Sequence, residues 1–257
     1  MLRVSVIARQ VAPIAPAACA ADVAKQMAPT GKLRVALNMR NEMLITGKTA
    51  DGQPDGLAPA MAAAFAEKLG VPLECVPYTA PDKIFVDAAE DKWDVAMVGA
   101  DPARAEHVEF TNPYCQIEAT CAVPTTSGLR KCEDLDKANV TIATCKGAAY
   151  TLWLESNIKN ATLKIVDGHD ATYEAFNDEA LEALAGLRPK LKKDASKRPA
   201  TRLLPGKFMA VQQAACTKKG RPEGFKMLSD FIEEAKTSGL VKQLMEKYKV
   251  NKDLTIP

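Results

Sequence analysis

The chain has 257 residues, of which 47% are hydrophobic and 26% are charged, and its formal net charge is +2. This composition is typical of a globular protein that is long enough to form one large domain or two lobes. The nearly balanced charge gives no global field that indicates a nucleic-acid or membrane partner, and no apolar run is long enough to span a bilayer.

The first 30 residues are predicted to be a leader or a disordered tail. Residues 1–21 contain two arginines and no acidic residue, and Ala18-Cys19-Ala20 matches a small-x-small signal cleavage site. An arginine and two prolines interrupt the part of a signal that should be apolar. A secretory leader, an organelle presequence and a plain tail therefore all stay open from the residues alone.

Beyond this segment, short apolar strands alternate with helices, which predicts an α/β architecture. A helix in the first half of the chain ends before Gly70, and a glycine there is a common helix stop. The predicted strands are 33–37, 73–76, 95–98, 119–123, 140–144, 163–166, 183–185 and 208–215. The predicted helices are 57–68, 84–89, 151–158, 172–177, 222–237 and 240–248.

The most informative segment leads from the apolar strand at 95–98 to Arg104. Asp101-Pro102 predicts a helix start, with aspartate as the N-cap and proline at the first helical position. Arg104 then falls in the first turn, beside backbone N–H groups that favour an anion. Because arginine holds a carboxylate through two parallel hydrogen bonds, the segment predicts a pocket for a small carboxylated molecule. A capped helix with an Asp101–Arg104 surface pair is the alternative.

From Trp93 to Tyr114 the chain reads WDVAMVGADPARAEHVEFTNPY. This stretch resembles the motif D-[VI]-[three to five residues]-T-P-x-R-x-x-x-[VI]-x-F-[ST]-x-P-Y of solute-binding proteins of polar amino acid ABC transporters. The resemblance extends from about Gly31 to about Tyr248. It implies the α/β, two-lobed type II periplasmic-binding-protein-like fold, in which each lobe is a central sheet flanked by helices.

Two crossover strands form the hinge of that fold, and the ligand lies in the cleft between the lobes. For this chain the resemblance implies a lobe 1 of residues 32–121 and 208–250 and a lobe 2 of residues 122–207.

In the resembling family, the arginine of T-P-x-R clamps the ligand carboxylate, and Arg104 matches that arginine. Gly99 and Ala100 form the loop before it and are predicted to line the same pocket. Asp101 replaces the family's threonine, where it can cap the helix, pair with Arg104 or take a ligand amine. Asn38 ends the first strand, where family members place a ligand contact.

The second lobe is expected to contribute the turn Lys146-Gly147-Ala148-Ala149. Its backbone amides can bind an anion, and its lysine adds positive charge. An ordinary strand–helix turn with a solvated lysine is the alternative.

Leu187 occupies the place of the family's amine-binding acid, which argues against an ordinary α-amino acid because a buried ammonium needs a partner. Arg188 can turn into the cleft and favour a second acidic group, or it can begin the basic surface run that ends at Arg202. Alternation on the second crossover strand turns one of two glutamines toward the cleft, and Gln213 is the predicted contact.

The seven cysteines form no C-x-x-C pair and only two histidines are present, so neither a metal site nor another cofactor is predicted. Most of the cysteines are expected to be small buried hydrophobic residues. Cys115 and Cys121 have the same strand parity, which predicts that they face one side of the core.

Together these patterns predict a periplasmic or secreted solute-binding protein that captures a small carboxylated solute for the permease subunits of an ABC importer. The protein is predicted to be a monomer without enzymatic activity or a nucleic-acid partner. One alternative is an enzyme similar to cyclohexadienyl dehydratases, which resemble these binding proteins and need a positioned general acid. Another is a ligand-sensing or partner-binding module that no longer serves transport.

Overall fold

The computed structural model of the protein describes residues 17–196 and 200–257, with side chains described from residue 22 onward. Its helices are α1 (Ala17–Met27), α2 (Leu57–Leu69), α3 (Pro81–Val86), α4 (Pro102–Ala105), α5 (Ala149–Asn157), α6 (His169–Asp178), α7 (Arg188–Ser196), α8 (Pro222–Thr237) and α9 (Leu240–Lys247). Its strands are β1 (Leu33–Asn38), β2 (Gly47–Lys48), β3 (Pro54–Asp55), β4 (Leu73–Tyr78), β5 (Val95–Gly99), β6 (Val108–Phe110), β7 (Cys115–Pro124), β8 (Thr141–Cys145), β9 (Thr162–Val166), β10 (Ala183–Leu187), β11 (Thr201–Leu203) and β12 (Met209–Lys218).

Ten of these strands form one sheet, whose main path has the order β4-β1-β5-β12-β7-β10-β8-β9. At one end β1 pairs in parallel with β4 and β5, and at the other end β8 pairs in parallel with β9 and β10. We call the part built on β1, β4, β5 and β6 lobe 1 and the part built on β8, β9, β10 and β11 lobe 2. The lobe boundaries at 32–121, 208–250 and 122–207 stay predictions.

Two strands of ten residues each, β7 and β12, pass between the lobes. The first half of β12 pairs with β7, and its second half pairs with β5. The first half of β7 pairs with β12, and its second half pairs with β10 and β11. Two α/β halves joined by two crossover strands are therefore confirmed. The halves share one continuous sheet because the crossover strands hydrogen-bond to each other.

Each lobe has its own hydrophobic core. The lobe 1 core includes Phe65 and Phe231, whose ring centroids lie 5.2 Å apart between α2 and α8. Cys115 belongs to this core, whereas Cys121 belongs to the core of lobe 2. The prediction that these two cysteines face one side of a common core is wrong, because β7 passes from one lobe to the other between them. The prediction that most cysteines are buried is confirmed, since five of the six described cysteines are buried and all six are free thiols.

Local signals placed several helix ends correctly. Helix α2 ends at Gly70, whose φ of 69° is the left-handed conformation that glycine adopts without strain. Helix α8 has the predicted bounds 222–237. The helix predicted at 84–89 instead begins at Pro81, because proline is accepted in the first turn, and it ends at Val86.

Within the segment predicted to be a leader or a tail, the structure describes helix α1 from Ala17 onward, whereas residues 1–16 lie outside the described residues. Helix α1 packs on α8, with Val23 and Met27 in the core of lobe 1. The Gln26 Oε1 atom accepts a hydrogen bond of 3.0 Å from the Gly224 N–H. Val23 and Met27 are four residues apart and so lie on one helix face, which gives α1 an apolar side to bury.

Met27→Ala is expected to lower the free energy of unfolding by about 2–3 kcal/mol, because Met27 is fully buried and a cavity would remain. The expected loss is in the lower part of the range for such substitutions, because a terminal helix can unfold locally without unfolding the rest of the protein. Urea denaturation of the full chain measures it, with the exposed Lys25→Ala as the control. Equal unfolding midpoints for the two variants would contradict the packing of α1 on α8.

In residues 17–196 and 200–257, no helix combines the length and the apolar character needed to cross a membrane.

Candidate functional site

The predicted strand, turn and helix start are found at the end of β5. Every residue of β5 is buried, and Pro102 begins the four-residue helix α4. The Asp101 carboxylate caps this helix by accepting a hydrogen bond of 2.9 Å from the Ala103 N–H. The Ala100 N–H donates to the Gln212 carbonyl at 2.7 Å. Asp101 and Ala100, both predicted to contact ligand, are thus engaged in local hydrogen bonds and do not line the cavity described below.

Arg104 lies at the junction of the lobes and is only 6% exposed. Its Nη1 donates to the Gly99 carbonyl at 2.5 Å, and its Nη2 donates across the cleft to the Gly147 carbonyl at 2.7 Å. The guanidinium also lies 4.9 Å from the centre of the Phe85 ring, within range of a cation–π contact. Burial lowers the pKa of Arg104 to about 10, which leaves the side chain protonated at neutral pH.

Lobe 2 faces Arg104 with the turn between β8 and α5. Gly147 has a φ of 72°, and a Cβ at that position would approach the Asp82 Cβ to 3.3 Å, so both backbone conformation and space favour glycine. The Lys146 N–H donates to the Val166 carbonyl at 2.8 Å, and the Ala148 N–H donates to the Cys145 carbonyl at 3.2 Å. These two amides are engaged within the lobe and are not available to an anion, whereas an anion contact with the rest of the turn stays a prediction.

A small cavity that is partly open to solvent lies between the two lobes at this point. Seven of the predicted contacts line it, namely Asn38, Gly99, Arg104, Lys146, Ala148, Ala149 and Gln213. Gly147 lies outside that lining but presents its carbonyl to Arg104. Leu187, at the place of the family's amine-binding acid, is also part of the wall.

Arg188 does not reach the cavity, and its predicted ligand contact is corrected. Its Nε donates to the Glu118 Oε2 atom at 2.7 Å, and its Nη2 donates to the Gly206 carbonyl. Arg188 is the first residue of α7, and its side chain pairs with the Glu118 carboxylate of β7. Other cations of the basic run are also paired within the chain, as Lys190 is with Asp194 at 2.8 Å.

Sequence reasoning missed several residues of the cavity wall. The wall also includes Arg40, Asn41, Pro81, Tyr150 and His169. Most of them lie next to the carboxyl ends of strands, where ligands bind in open α/β sheets. That position is the signal that could have identified them.

An adjoining cavity extends the cleft toward α6 and α7, and two ion pairs join the lobes there. Arg40 Nη1 lies 3.3 Å from Asp167 Oδ1, and Lys193 Nζ lies 2.8 Å from Glu42 Oε2. His169 lines both cavities. Its burial, and next a nearby lysine and arginine, lower its pKa below the ordinary value, so the imidazole is neutral at pH 7. The described part of the chain contains no group of three or more metal-ligating side chains.

Comparison with protein families gives one match that spans most of the chain. The profile of the bacterial extracellular solute-binding proteins, family 3, matches residues 33–251. A comparison with curated proteins gave no match.

Solved structures resemble the chain along most of its length. An ancestral amino acid-binding protein, described as a precursor of cyclohexadienyl dehydratase, is 23% identical, with a TM-score of 0.72 over 88% of this chain and 98% of its own. A substrate-binding protein of an amino acid ABC transporter from Streptococcus pneumoniae, bound to L-arginine, is 22% identical, with a TM-score of 0.71 over 88% and 98%. A solute receptor for L-cysteine from Neisseria gonorrhoeae is 22% identical, with a TM-score of 0.72 over 88% and 92%. At these identities the likeness establishes the fold, and the predicted type II periplasmic binding fold is confirmed.

Proposed function

Because the chain belongs to the bacterial extracellular solute-binding proteins of family 3, we propose that it binds a small carboxylate-bearing solute between its lobes and delivers it to an ABC importer. The protein acts outside the cytoplasm, in the periplasm or as a secreted protein. Its partners are the solute and the permease subunits of the importer, and it works as a monomer.

The position of Arg104 carries this proposal. The guanidinium is buried where the lobes meet, and it already bridges them by donating to the Gly147 carbonyl at 2.7 Å. A ligand carboxylate offers this cation a charged acceptor, and such hydrogen bonds are roughly twice as strong as those to a neutral carbonyl. The ligand therefore competes well for Arg104, and its binding links the two lobes through the same side chain.

The other charges of the cavity wall support an anionic ligand. Lys146 joins Arg104 in the wall, together with Arg40, whose charge is paired with Asp167. No carboxylate lies among the described residues that line this cavity. A cleft whose walls carry one sign of charge concentrates ions of the opposite sign and speeds their association. Leu187 and Val211 add apolar surface for the rest of the solute.

Closure of the lobes around the solute is the motion that this arrangement serves. The proposed lobes are residues 32–121 with 208–250 and residues 122–207, so that β7 and β12 cross between them. The pairs Arg40–Asp167 and Glu42–Lys193 connect the lobes beside the cavity and support the closed arrangement.

An enzymatic function receives no support from a specific side chain. A dehydratase needs a general acid close to the ligand. Glu182 is an acidic residue of lobe 2, and its carboxylate accepts a hydrogen bond of 2.7 Å from the Thr141 N–H at the start of β8. That position is remote from the cavity wall, so a binding function fits the chain better.

A thermal-shift screen of the full chain, followed by calorimetry, tests the proposal. The ligands are diacids, aromatic acids including prephenate, and amino acids, each paired with its neutral carboxamide where one exists. At least one acid is expected to raise the melting temperature, because a ligand at 100 times its Kd stabilises the fold by about 2.7 kcal/mol. Its carboxamide is expected to give no shift.

Three outcomes contradict the proposal. Equal binding of an acid and its carboxamide would remove the role of the carboxylate. No shift with any acid would favour the sensing or partner-binding module, and conversion of prephenate during the assay would favour the dehydratase.

A further inference from the structure

One buried polar atom in the cavity wall has no partner. Gln213 is 2% exposed, and its Oε1 atom accepts no hydrogen bond from any described residue. Its backbone carbonyl is satisfied, since it accepts from the Tyr114 N–H at 2.9 Å. A buried acceptor left without a donor destabilises a protein, so a group of this kind in a binding cleft calls for an explanation.

The strand pairing places Gln213 close to the carboxylate-binding arginine. Gln213 on β12 is the register partner of Gly99 on β5, and the Gly99 carbonyl accepts the hydrogen bond from Arg104 Nη1. The two side chains therefore serve neighbouring parts of the cavity. A ligand that gives its carboxylate to Arg104 presents the adjacent carbon to Gln213.

The charges of the cavity wall indicate which hydrogen-bond donor of a ligand, an ammonium or a hydroxyl group, fits beside Gln213. An ammonium would lie in a cavity with Arg40, Arg104 and Lys146, and no carboxylate among the described lining residues would balance it. A hydroxyl group brings a hydrogen-bond donor without charge. The wall thus fits a hydroxyl better than an amine.

Building on the proposed function, we infer that the solute is an α-hydroxy acid, whose carboxylate binds Arg104 and whose hydroxyl donates to Gln213 Oε1. Gln213 is then the residue that separates hydroxy acids from unsubstituted acids, whereas the positive charges of the wall disfavour α-amino acids. The neighbouring Gln212 has a different environment, because its Nε2 donates to the Ala210 carbonyl at 3.1 Å and its side chain does not line the cavity.

Matched ligand series measured by calorimetry at pH 7.5 test this inference. Each series keeps the carbon skeleton and changes one group: malate, succinate and aspartate; lactate, propionate and alanine; phenyllactate, phenylpropionate and phenylalanine. In the series that binds, the hydroxy acid is expected to bind about tenfold more tightly than the unsubstituted acid, as one hydrogen bond to a buried acceptor provides. The amino acid is expected to bind at least tenfold more weakly than the hydroxy acid.

The Gln213→Leu variant is expected to bind the hydroxy acid and the unsubstituted acid with about equal affinity, because leucine keeps the side-chain volume and removes the acceptor. Gln212→Leu is the matched control and is expected to keep the preference. A wild-type protein that binds the unsubstituted acid or the amino acid as tightly as the hydroxy acid overturns the inference and leaves the proposed function standing. A Gln213→Leu variant that retains the preference overturns it as well. Failure of every acid to bind overturns the proposed function itself.

Discussion

Replacing Arg104 with alanine is expected to weaken binding of the best acid from the ligand screen by at least about 30-fold. Removing one partner of a buried, charge-assisted hydrogen bond costs about 2–5 kcal/mol of binding free energy, and tenfold in Kd corresponds to about 1.4 kcal/mol. Calorimetry measures the affinity, and the rise in melting temperature at saturating ligand should disappear with it. The far-ultraviolet circular dichroism spectrum should stay unchanged, since each lobe keeps its own core.

Two variants give this experiment its controls. Arg104→Lys keeps the charge but loses the planar guanidinium that binds a carboxylate through two hydrogen bonds. Its affinity should therefore lie between those of the wild-type protein and the Arg104→Ala variant. Arg130→Ala removes an exposed arginine of lobe 2 that does not line the cavity, and its affinity should equal the wild-type value. An Arg104→Ala protein with wild-type affinity would refute the carboxylate clamp.

Asp94→Ala is expected to lower the free energy of unfolding by about 3–5 kcal/mol. Asp94 is fully buried at the start of β5, and its carboxylate binds Arg34 Nε at 3.0 Å and Arg34 Nη2 at 2.9 Å. Arg221 Nη1 lies 3.7 Å from the same carboxylate. Both arginines are largely buried, so removing Asp94 leaves two poorly solvated cations without their counter-ion.

Asp91→Ala is the matched control for this substitution. Asp91 belongs to the same group of charges and pairs with Lys218, but its side chain is 77% exposed, so its loss should cost less than about 1 kcal/mol. Urea denaturation measures both variants. Similar destabilisation by the two substitutions would mean that burial of Asp94 does not determine its contribution.

The elements that the sequence predicted well are those with local causes. Examples are the apolar run of β5, the Asp101 cap and the glycine after α2. Each depends on a few neighbouring residues, so its pattern can be recognised in the sequence. Helix α1 was missed because five of its eleven residues are alanines, and only Val23 and Met27 mark the face that packs on α8.

The candidate site was predicted less completely, because several of its contacts join residues that are far apart in the sequence. The position of Arg188 is decided by Glu118, 70 residues away in sequence, and no local pattern distinguishes that contact from one with a ligand. Asp101 was ambiguous although its contact is local, because a carboxylate at this position can cap the helix or bind a ligand amine. His169 and Tyr150 enter the cleft only through the packing of lobe 2 against lobe 1.

The continuous sheet through β7 and β12 has a mechanical consequence. Two lobes joined by flexible loops can rotate and translate relative to each other. Here β7 and β12 pair in a fixed register, with Met209 opposite Ala119 and Gln213 opposite Cys115. Translation of one strand along the other is resisted, because every hydrogen bond between them would have to change partner. The softest remaining deformation is a bend and twist along the paired strands. We therefore expect the proposed closure to bend and twist these two strands, so that the elastic energy of that deformation contributes to the affinity for the proposed solute.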